Sequence, residues 1–135
     1  MTSPNEELFE DAISEYLVEH GGYLMRKVGA HGAHASDFDP VRGLDVVELL
    51  SFIRDTQHEE WQRLLTNYGG DEEASAAGFV KRLADQIDDR GTVDVLRRGV
   101  VDHGVTIHLA FFKPAHGLTP ELVERFAANR LTVTR

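Results

Sequence analysis

"RLTVTR", residues 130–135, is the stretch on which the fold class depends. Leu131 and Val133 alternate with threonines, and this alternation of apolar and β-branched polar residues is typical of a β-strand. Because a strand needs a hydrogen-bonding partner, the stretch predicts a small sheet. We expect one edge of this strand to be open, so that residues 131–135 either pair with a second copy of the chain or fray.

A second strand is predicted shortly before this one. Residues 104–114, "GVTIHLAFFKP", alternate in polarity but are largely apolar on both faces, which predicts a strand covered on both sides. We expect its Leu109 and Phe111 to be buried beneath the terminal strand. Between the two strands, Thr119 and Pro120 begin a predicted helix that ends at Asn129. Its predicted inward residues are Leu122, Val123 and Phe126.

The N-terminus predicts an amphipathic helix. Ser3 and Glu6 form a capping box around Pro4, which suits the first helical position. Apolar residues then recur at the spacing of one helical face, and Gly21 and Gly22 end the helix. The predicted apolar face, on which we expect Phe9 to be buried, consists of Leu8, Phe9, Ala12, Ile13, Tyr16 and Leu17. "YLMRKV", which follows, is compatible with a short strand.

The middle of the chain, residues 44–99, is predicted to be helical. Asp45 with Glu48, and Thr56 with Glu59, have the spacing of N-terminal caps. A further helix over residues 74–89 has an apolar stripe, and Thr92 caps a short helix that ends at Gly99. The sequence therefore predicts a helix-rich, mixed α+β chain. We interpret residues 1–135 as a single domain in which residues 44–99 are a helical insertion.

Composition restricts the classes of function. The 135 residues carry a net charge of −9 and include no cysteine, which excludes disulfides and thiolate metal sites. Nucleic-acid modules usually have a basic footprint, so any contact with DNA requires a local basic face. The chain has no apolar run near the roughly 20 residues of a membrane helix, and its acidic N-terminus lacks the order of a signal peptide. A cytoplasmic location fits this composition.

One loop contains possible metal ligands. His31 and His34 lie in a glycine- and alanine-rich stretch with Asp37 and Asp39 nearby. Two histidines at this spacing are a weak indication of a metal site when no third ligand is fixed by a helix or strand. We therefore expect residues 29–39 to form a mobile loop that binds no metal.

Basic residues near the C-terminal third suggest a phosphate-binding face. The candidates are Arg97, Arg98, Lys113, Arg125, Arg130 and Arg135. The alternative, which we favour for an acidic chain, is ordinary ion pairing at the surface. The stretch "GGDEEASAAG" lacks the lysine of a phosphate-binding loop, and no aspartate with E-x-K stands on adjacent strands. The residues alone thus predict an α/β domain without a visible active site.

Three stretches resemble one known family. They are "FEDAISEYLVEHGGY" (residues 9–23), "LLSFIRDTQHEEWQRLL" (residues 49–65) and "GTVDVLRRGVVDHGVTIHLAFFKPAHGLTPELVERFAANRLTVTR" (residues 91–135). In this order they resemble the N-terminal region of the R subunit, the restriction and motor subunit, of type I restriction-modification enzymes. The resemblance implies that "NRLTVTR" is followed by more sheet, which carries the aspartate and E-x-K of a PD-(D/E)xK nuclease, and then by an ATP-driven motor. It implies that the present chain is a partial nuclease sheet cut before its catalytic strands.

The resemblance also implies site residues, cofactors and partners. Glu10, or failing that Glu6, corresponds to a helix carboxylate sometimes found at the nuclease metal site, and no other metal ligand is expected here. Mg²⁺ and ATP are implied for the full-length protein only. The implied partners are DNA and the methyltransferase and specificity subunits. From their charge, Arg97, Arg98, Lys113 and Arg130 are the residues that we expect to contact DNA.

Two functions from different classes remain open. In the first, the chain is scaffold of a nuclease domain, and an exposed hydrophobic edge at residues 131–135 would favour it. In the second, it is a non-enzymatic module that docks the R subunit on its methyltransferase partner or on its own motor. A large apolar patch on the helices of residues 44–98 would favour the second.

Overall fold

A computed structural model describes residues 4–26, 38–39, 41–114 and 119–134. These residues form six helices and six short strands, so the helix-rich α+β class is confirmed. Their order is α1 (Pro4–His20), β1 (Leu24–Arg26), β2 (Phe38–Asp39), β3 (Leu44–Asp45), α2 (Val46–Thr56), α3 (His58–Asn67), α4 (Glu72–Arg90), α5 (Thr92–Arg98), β4 (Val100–Asp102), β5 (Val105–Ile107), α6 (Pro120–Ala127) and β6 (Thr132–Thr134).

The helices of the predicted insertion begin at caps, one of which was predicted correctly. Asp45 precedes α2, and its carboxylate accepts a hydrogen bond from the backbone N–H of Glu48 at 3.3 Å. The prediction for Thr56 was wrong. This residue is the last of α2, and its hydroxyl donates to the carbonyl of Phe52 instead, so Gln57 precedes α3. The prediction for Thr92 was also wrong, because α5 already includes it and Gly91 is the cap.

The hydrophobic core lies between helices α2–α5 and strands β4 and β5. Trp61 and Phe79 meet edge to face, with ring centroids 6.1 Å apart, an arrangement that aromatic pairs prefer. The buried cluster consists of Leu50, Phe52, Ile53, Trp61, Leu64, Phe79, Leu83, Val95, Val100, Val105 and Ile107. Burial of these apolar side chains stabilises this part of the chain.

Strands β4 and β5 form an antiparallel hairpin that the sequence analysis did not predict. His103 and Gly104 connect the strands with φ values of 45° and 77°, as a two-residue hairpin turn requires. The long strand predicted over residues 104–114 was wrong, because β5 ends at Ile107. Its two-sided coverage was also wrong: Val105 and Ile107 are buried, whereas Thr106 between them is exposed.

The terminal strand β6 pairs in parallel with β1, placing Leu24 opposite Thr132 and Met25 opposite Val133. Within the described part of the chain, β1 is the one strand paired with β6, so the other edge of β6 is open there. The open edge agrees with our expectation. Helix α1 contacts β1 and β6, and we call these three elements the N-terminal layer.

Three predictions about burial were wrong. The apolar face of α1 is not covered: Leu8 and Phe9 are each 67% exposed. The predicted inward face of α6 is exposed as well, with Leu122, Val123 and Phe126 each at least 40% accessible. Leu109 and Phe111 are only partly buried, and they pack on the helical core rather than under β6, with the Phe111 ring 5.8 Å from that of Phe52.

Candidate functional site

The helix carboxylates implied by the resemblance lie on exposed positions of α1. Glu10 and Glu6 are both exposed, and the Glu10 carbonyl accepts a hydrogen bond from the Ser14 hydroxyl at 2.7 Å. The described residues include no group of three or more histidine, aspartate or glutamate side chains placed to hold a metal ion. They do not by themselves fit a Mg²⁺ site, and a role for Glu10 stays a prediction. His31, His34 and Asp37 lie outside the described residues, whereas Asp39 is in β2 and caps the turn at Val41.

The predicted basic residues do not form one face. Arg98 pairs with Asp94 at 3.1 Å, and Arg130 pairs with Glu48 at 2.9 Å and with Asp55 at 3.5 Å. These two arginines thus engage carboxylates, as the alternative of surface ion pairing predicts.

Two other arginines do come together. Arg97 lines a cavity of about 250 Å³ that is also lined by Arg125. The guanidinium of Arg125 lies 5.7 Å from the ring centre of Phe111, a cation–π contact. Lys113 is exposed and forms no ion pair with a described residue. Arg135 lies outside the described residues.

One polar cluster around a buried carboxylate is a feature that the sequence analysis missed. Asp102 is buried at the end of β4, and its carboxylate accepts a hydrogen bond from the hydroxyl of Tyr68 at 2.6 Å. Its other oxygen lies 2.7 Å from Nδ1 of His103, in the hairpin turn. The rings of Tyr68 and His103 are in contact, with centroids 4.1 Å apart. We call these three residues the Tyr–Asp–His cluster.

Two unusual backbone positions hold this cluster. Gly78 lies inside α4, where glycine costs about 1 kcal/mol relative to alanine. A Cβ atom there would meet the Tyr68 ring at 2.5 Å, so the ring approaches only because Gly78 has no side chain. His103 adopts a left-handed backbone, which is uncommon for a residue other than glycine. Its carbonyl accepts a hydrogen bond from the Asn67 side chain at 2.9 Å.

The electrostatics of the cluster fix its proton positions. Burial, followed by the hydrogen bond to Asp102 and the charge of that carboxylate, raises the pKa of Tyr68 to about 12, against a smaller opposite effect of Arg82. Tyr68 therefore stays a hydrogen-bond donor at neutral pH. Because an ionised carboxylate only accepts, Nδ1 of His103 carries the proton in this contact. In the neutral imidazole, Nε2 is then an acceptor.

A signal for the cluster was present in the sequence. The stretch "VVDHGVTI" places His103 and Gly104 between two runs rich in β-branched residues, as in a two-residue hairpin. A hairpin there puts Asp102 and Val105 opposite each other, which is their register in the structure. No sequence signal identifies Tyr68 as the partner, since it comes from the end of another element 34 residues away.

Among the helices of the described residues, none is both long and apolar enough to cross a membrane. No family model, no curated protein and no solved structure matches this chain. Assignment of a function therefore depends on the residues and geometry of the chain itself.

Proposed function

We propose that this chain is the N-terminal scaffold of the nuclease domain in the R subunit of a type I restriction-modification enzyme, without the catalytic aspartate and E-x-K. The single observation that carries the proposal is the uncovered apolar surface of the N-terminal layer. Its exposed apolar side chains, each at least 39% accessible, are Leu8, Phe9, Ile13, Tyr16, Val18, Leu24, Met25 and Leu131.

A layer with two parallel strands is more typical of part of a larger sheet than of a complete sheet. Parallel strands occur almost only in sheets covered on both faces, and a sheet of two strands is marginal in water. In the described residues, β1 and β6 form such a parallel pair. Additional strands beside β6 and helices over the sheet would bury the apolar surface. The proposal supplies the strands, since those with the metal ligands follow β6 in the family.

The docking-module alternative has less support. It requires an apolar patch on the helices of residues 44–98. The large hydrophobic side chains exposed on α2–α5 are Val47, Val93 and Leu96. They are fewer than those of the N-terminal layer, which supports the scaffold over a docking function of the helical segment.

The remaining properties of the family belong to the complete R subunit in this proposal. These are Mg²⁺, ATP, DNA, the methyltransferase and specificity subunits, and a cytoplasmic location. The 135-residue chain alone lacks the E-x-K and the phosphate-binding loop. We expect it neither to cleave DNA nor to hydrolyse ATP, and to bind duplex DNA at physiological salt at about micromolar affinity or weaker.

The test begins with the coding sequence beyond Arg135, which we expect to encode an aspartate and an E-x-K on consecutive strands, followed by a phosphate-binding loop. The polypeptide that contains this chain, purified with the neighbouring modification and specificity subunits, should cleave unmodified DNA with ATP and Mg²⁺. Replacing the lysine of the E-x-K by alanine should abolish cleavage and leave ATP hydrolysis intact. A coding sequence without these motifs, or metal-dependent cleavage by the 135 residues alone, would contradict the proposal.

A further inference from the structure

Most arginines of this acidic chain have a carboxylate partner. Those with one within 4 Å are Arg42, Arg54, Arg90, Arg98, Arg125 and Arg130. The described cationic side chains for which the structure shows no such partner are Arg63, Lys81, Arg82, Arg97 and Lys113. Lys81 and Arg82 are unusual among these because they are adjacent on α4 and line the same cavity.

This cavity, of about 600 Å³, is bordered by the Tyr–Asp–His cluster. Its rim is held in place from both sides. On α4, Nε of Arg82 donates to the carbonyl of Val101 at 3.0 Å, which anchors the guanidinium and leaves its two terminal amino groups without a partner among the described residues. In the hairpin turn, Asp102 holds Nδ1 of His103 at 2.7 Å, so that Nε2 is the ring nitrogen left for a ligand.

We propose that this cavity binds a phosphate-type oxyanion through Lys81, Arg82 and Nε2 of His103. Arginine and lysine are the usual donors to phosphate oxygens, arginine with a planar fork and lysine as a point charge. Nε2 of His103 is the third polar atom at the cavity: it donates to an oxyanion when the ring carries both protons and accepts from a protonated phosphate oxygen when it does not. An anion there would also neutralise two cations that have no carboxylate partner among the described residues.

The proposed site gives a reason for two locally unfavourable backbone features, the glycine inside α4 and the left-handed residue in the hairpin turn. Glycine inside α4 lets Tyr68 reach Asp102, and the left-handed turn presents His103 beside α4. Both features orient an imidazole that is itself about half exposed, with 49% of its side chain accessible. Two carboxylates line the cavity, Asp85 and Asp102. The Asp102 oxygens are engaged by Tyr68 and His103, so Asp85 is the carboxylate whose charge opposes an anion without such partners in the cluster. The inference does not depend on the nuclease proposal, because no element of the N-terminal layer lines the cavity.

The test is a titration of the 135-residue chain with inorganic phosphate at constant ionic strength. Binding is monitored through the nuclear magnetic resonance signal of the His103 Cε1–H group. We expect saturable shifts with a dissociation constant of roughly 1 mM. Lys81→Gln and Arg82→Gln should each weaken binding about tenfold, the usual cost of losing a charged hydrogen bond. Asp85→Asn should tighten it. Arg63→Gln, which removes an exposed cation outside the cavity, is the matched control and should leave the affinity unchanged.

A short duplex oligonucleotide distinguishes the source of the oxyanion. If the oligonucleotide saturates the site at a lower concentration of phosphate groups than inorganic phosphate does, the site is assigned to a nucleic-acid backbone. If inorganic phosphate saturates it at the lower concentration, the site is assigned to a free phosphate or phosphate monoester. Either result supports the site if Lys81→Gln and Arg82→Gln weaken it. Shifts that do not saturate, or that chloride reproduces, would overturn the proposal. So would a weakening of binding by Arg63→Gln as large as that caused by Lys81→Gln. Thermal unfolding of each variant verifies that the fold is retained.

Discussion

At the scale of single residues, the Tyr–Asp–His cluster concentrates several features that are unfavourable locally. Gly78 weakens α4, His103 occupies a left-handed backbone, and Asp102 is a carboxylate that is 5% exposed. The buried carboxylate is compensated within the cluster, since Tyr68 and His103 supply the hydrogen bonds that it requires. The residues must therefore be understood as a unit.

Tyr68 should make the stability of the chain depend on pH in the alkaline range. Its folded pKa of about 12 exceeds the ordinary tyrosine value of 10.0, so the hydroxyl contributes stability that is fully present below pH 10 and is lost as the pH rises towards 12. Because Tyr68 is partly open to water, we expect a loss of about 1 to 2 kcal/mol. Urea unfolding across this range should show a steeper decline for the wild type than for Tyr68→Phe. The control is Tyr16→Phe, at an exposed position, and an equal decline in Tyr68→Phe would contradict the assignment.

Gly78→Ala should destabilise the chain although alanine is the better helix former. Alanine favours the helix by about 1 kcal/mol, but its Cβ would lie 2.5 Å from the Tyr68 ring and would displace it from Asp102. We expect a net destabilisation of about 1 to 3 kcal/mol, the usual cost of overpacking. In a Tyr68→Ala background the same substitution should become stabilising, because the clash is removed. Additive effects in this double-mutant cycle, measured by urea unfolding, would show that the close contact is absent.

The sequence was least informative about the individual residues of the site. The His103–Gly104 turn was recognisable in principle from its flanking strands. The role of Gly78 was not, because a glycine inside a helix is explained only by what approaches it in three dimensions. The charges of Arg98 and Arg130 suggested DNA contacts. The partner of Arg98, Asp94, lies four residues away on α5, a spacing that a helix brings together, whereas the partners of Arg130 on α2 became evident only from the fold.

At the scale of elements, side-chain amides take over where strand hydrogen bonding stops. After β5 ends at Ile107, the buried Gln57 donates to the carbonyl of His108 and accepts from its N–H, both at 2.7 Å. Asn129 does the same for Phe111, at 2.6 and 2.8 Å. These two amide clamps satisfy backbone groups in a segment without regular structure. They explain how His108 and Phe111, in a segment whose alternating apolar sequence resembles that of a strand, satisfy their backbone groups outside the strand.

Gln57→Ala should therefore destabilise the chain well beyond a surface substitution. It removes two hydrogen bonds and leaves the N–H and C=O of His108 without their partner in a partly buried place. We expect a loss of about 2 to 4 kcal/mol in the free energy of unfolding. Gln62→Ala, on an exposed position of α3, is the matched control and should change it by less than about 0.5 kcal/mol. Equal effects of the two substitutions, measured by chemical unfolding, would show that the clamp contributes little.

The elements themselves were predictable where local signals and tertiary packing agree. Asp45 caps α2 as its spacing with Glu48 predicted, and the helix predicted over residues 74–89 is present as α4. The predictions of burial failed where the helical spacing of apolar residues was taken as evidence that their face is covered. The apolar stripes of α1 and α6 have the expected helical period, yet in the structure they are exposed. Periodicity identifies a helix and its apolar face but does not supply the surface that covers that face.

At the scale of the whole molecule, an acidic chain presents an apolar layer with an open strand edge. Helix α1 carries no lysine or arginine. Its six carboxylates are those of Glu6, Glu7, Glu10, Asp11, Glu15 and Glu19. Two copies meeting at this layer would bring like charges together, whereas burial of apolar surface contributes about 25 cal/mol per Å². The balance between these effects depends on ionic strength.

We expect the 135-residue chain to self-associate through the N-terminal layer, with β6 pairing to its counterpart in a second copy, and to do so more strongly at high salt. Leu24 is 68% exposed on β1, so Leu24→Asp should keep the chain monomeric by adding a charge to the apolar surface. Val41→Asp is the matched control, because Val41 is 94% exposed but lies outside the layer, and it should leave association unchanged. Sedimentation velocity over a range of protein and salt concentrations measures the effect. Association that weakens with salt would indicate contact through opposite charges instead, and equal inhibition by the two substitutions would place the contact elsewhere on the molecule.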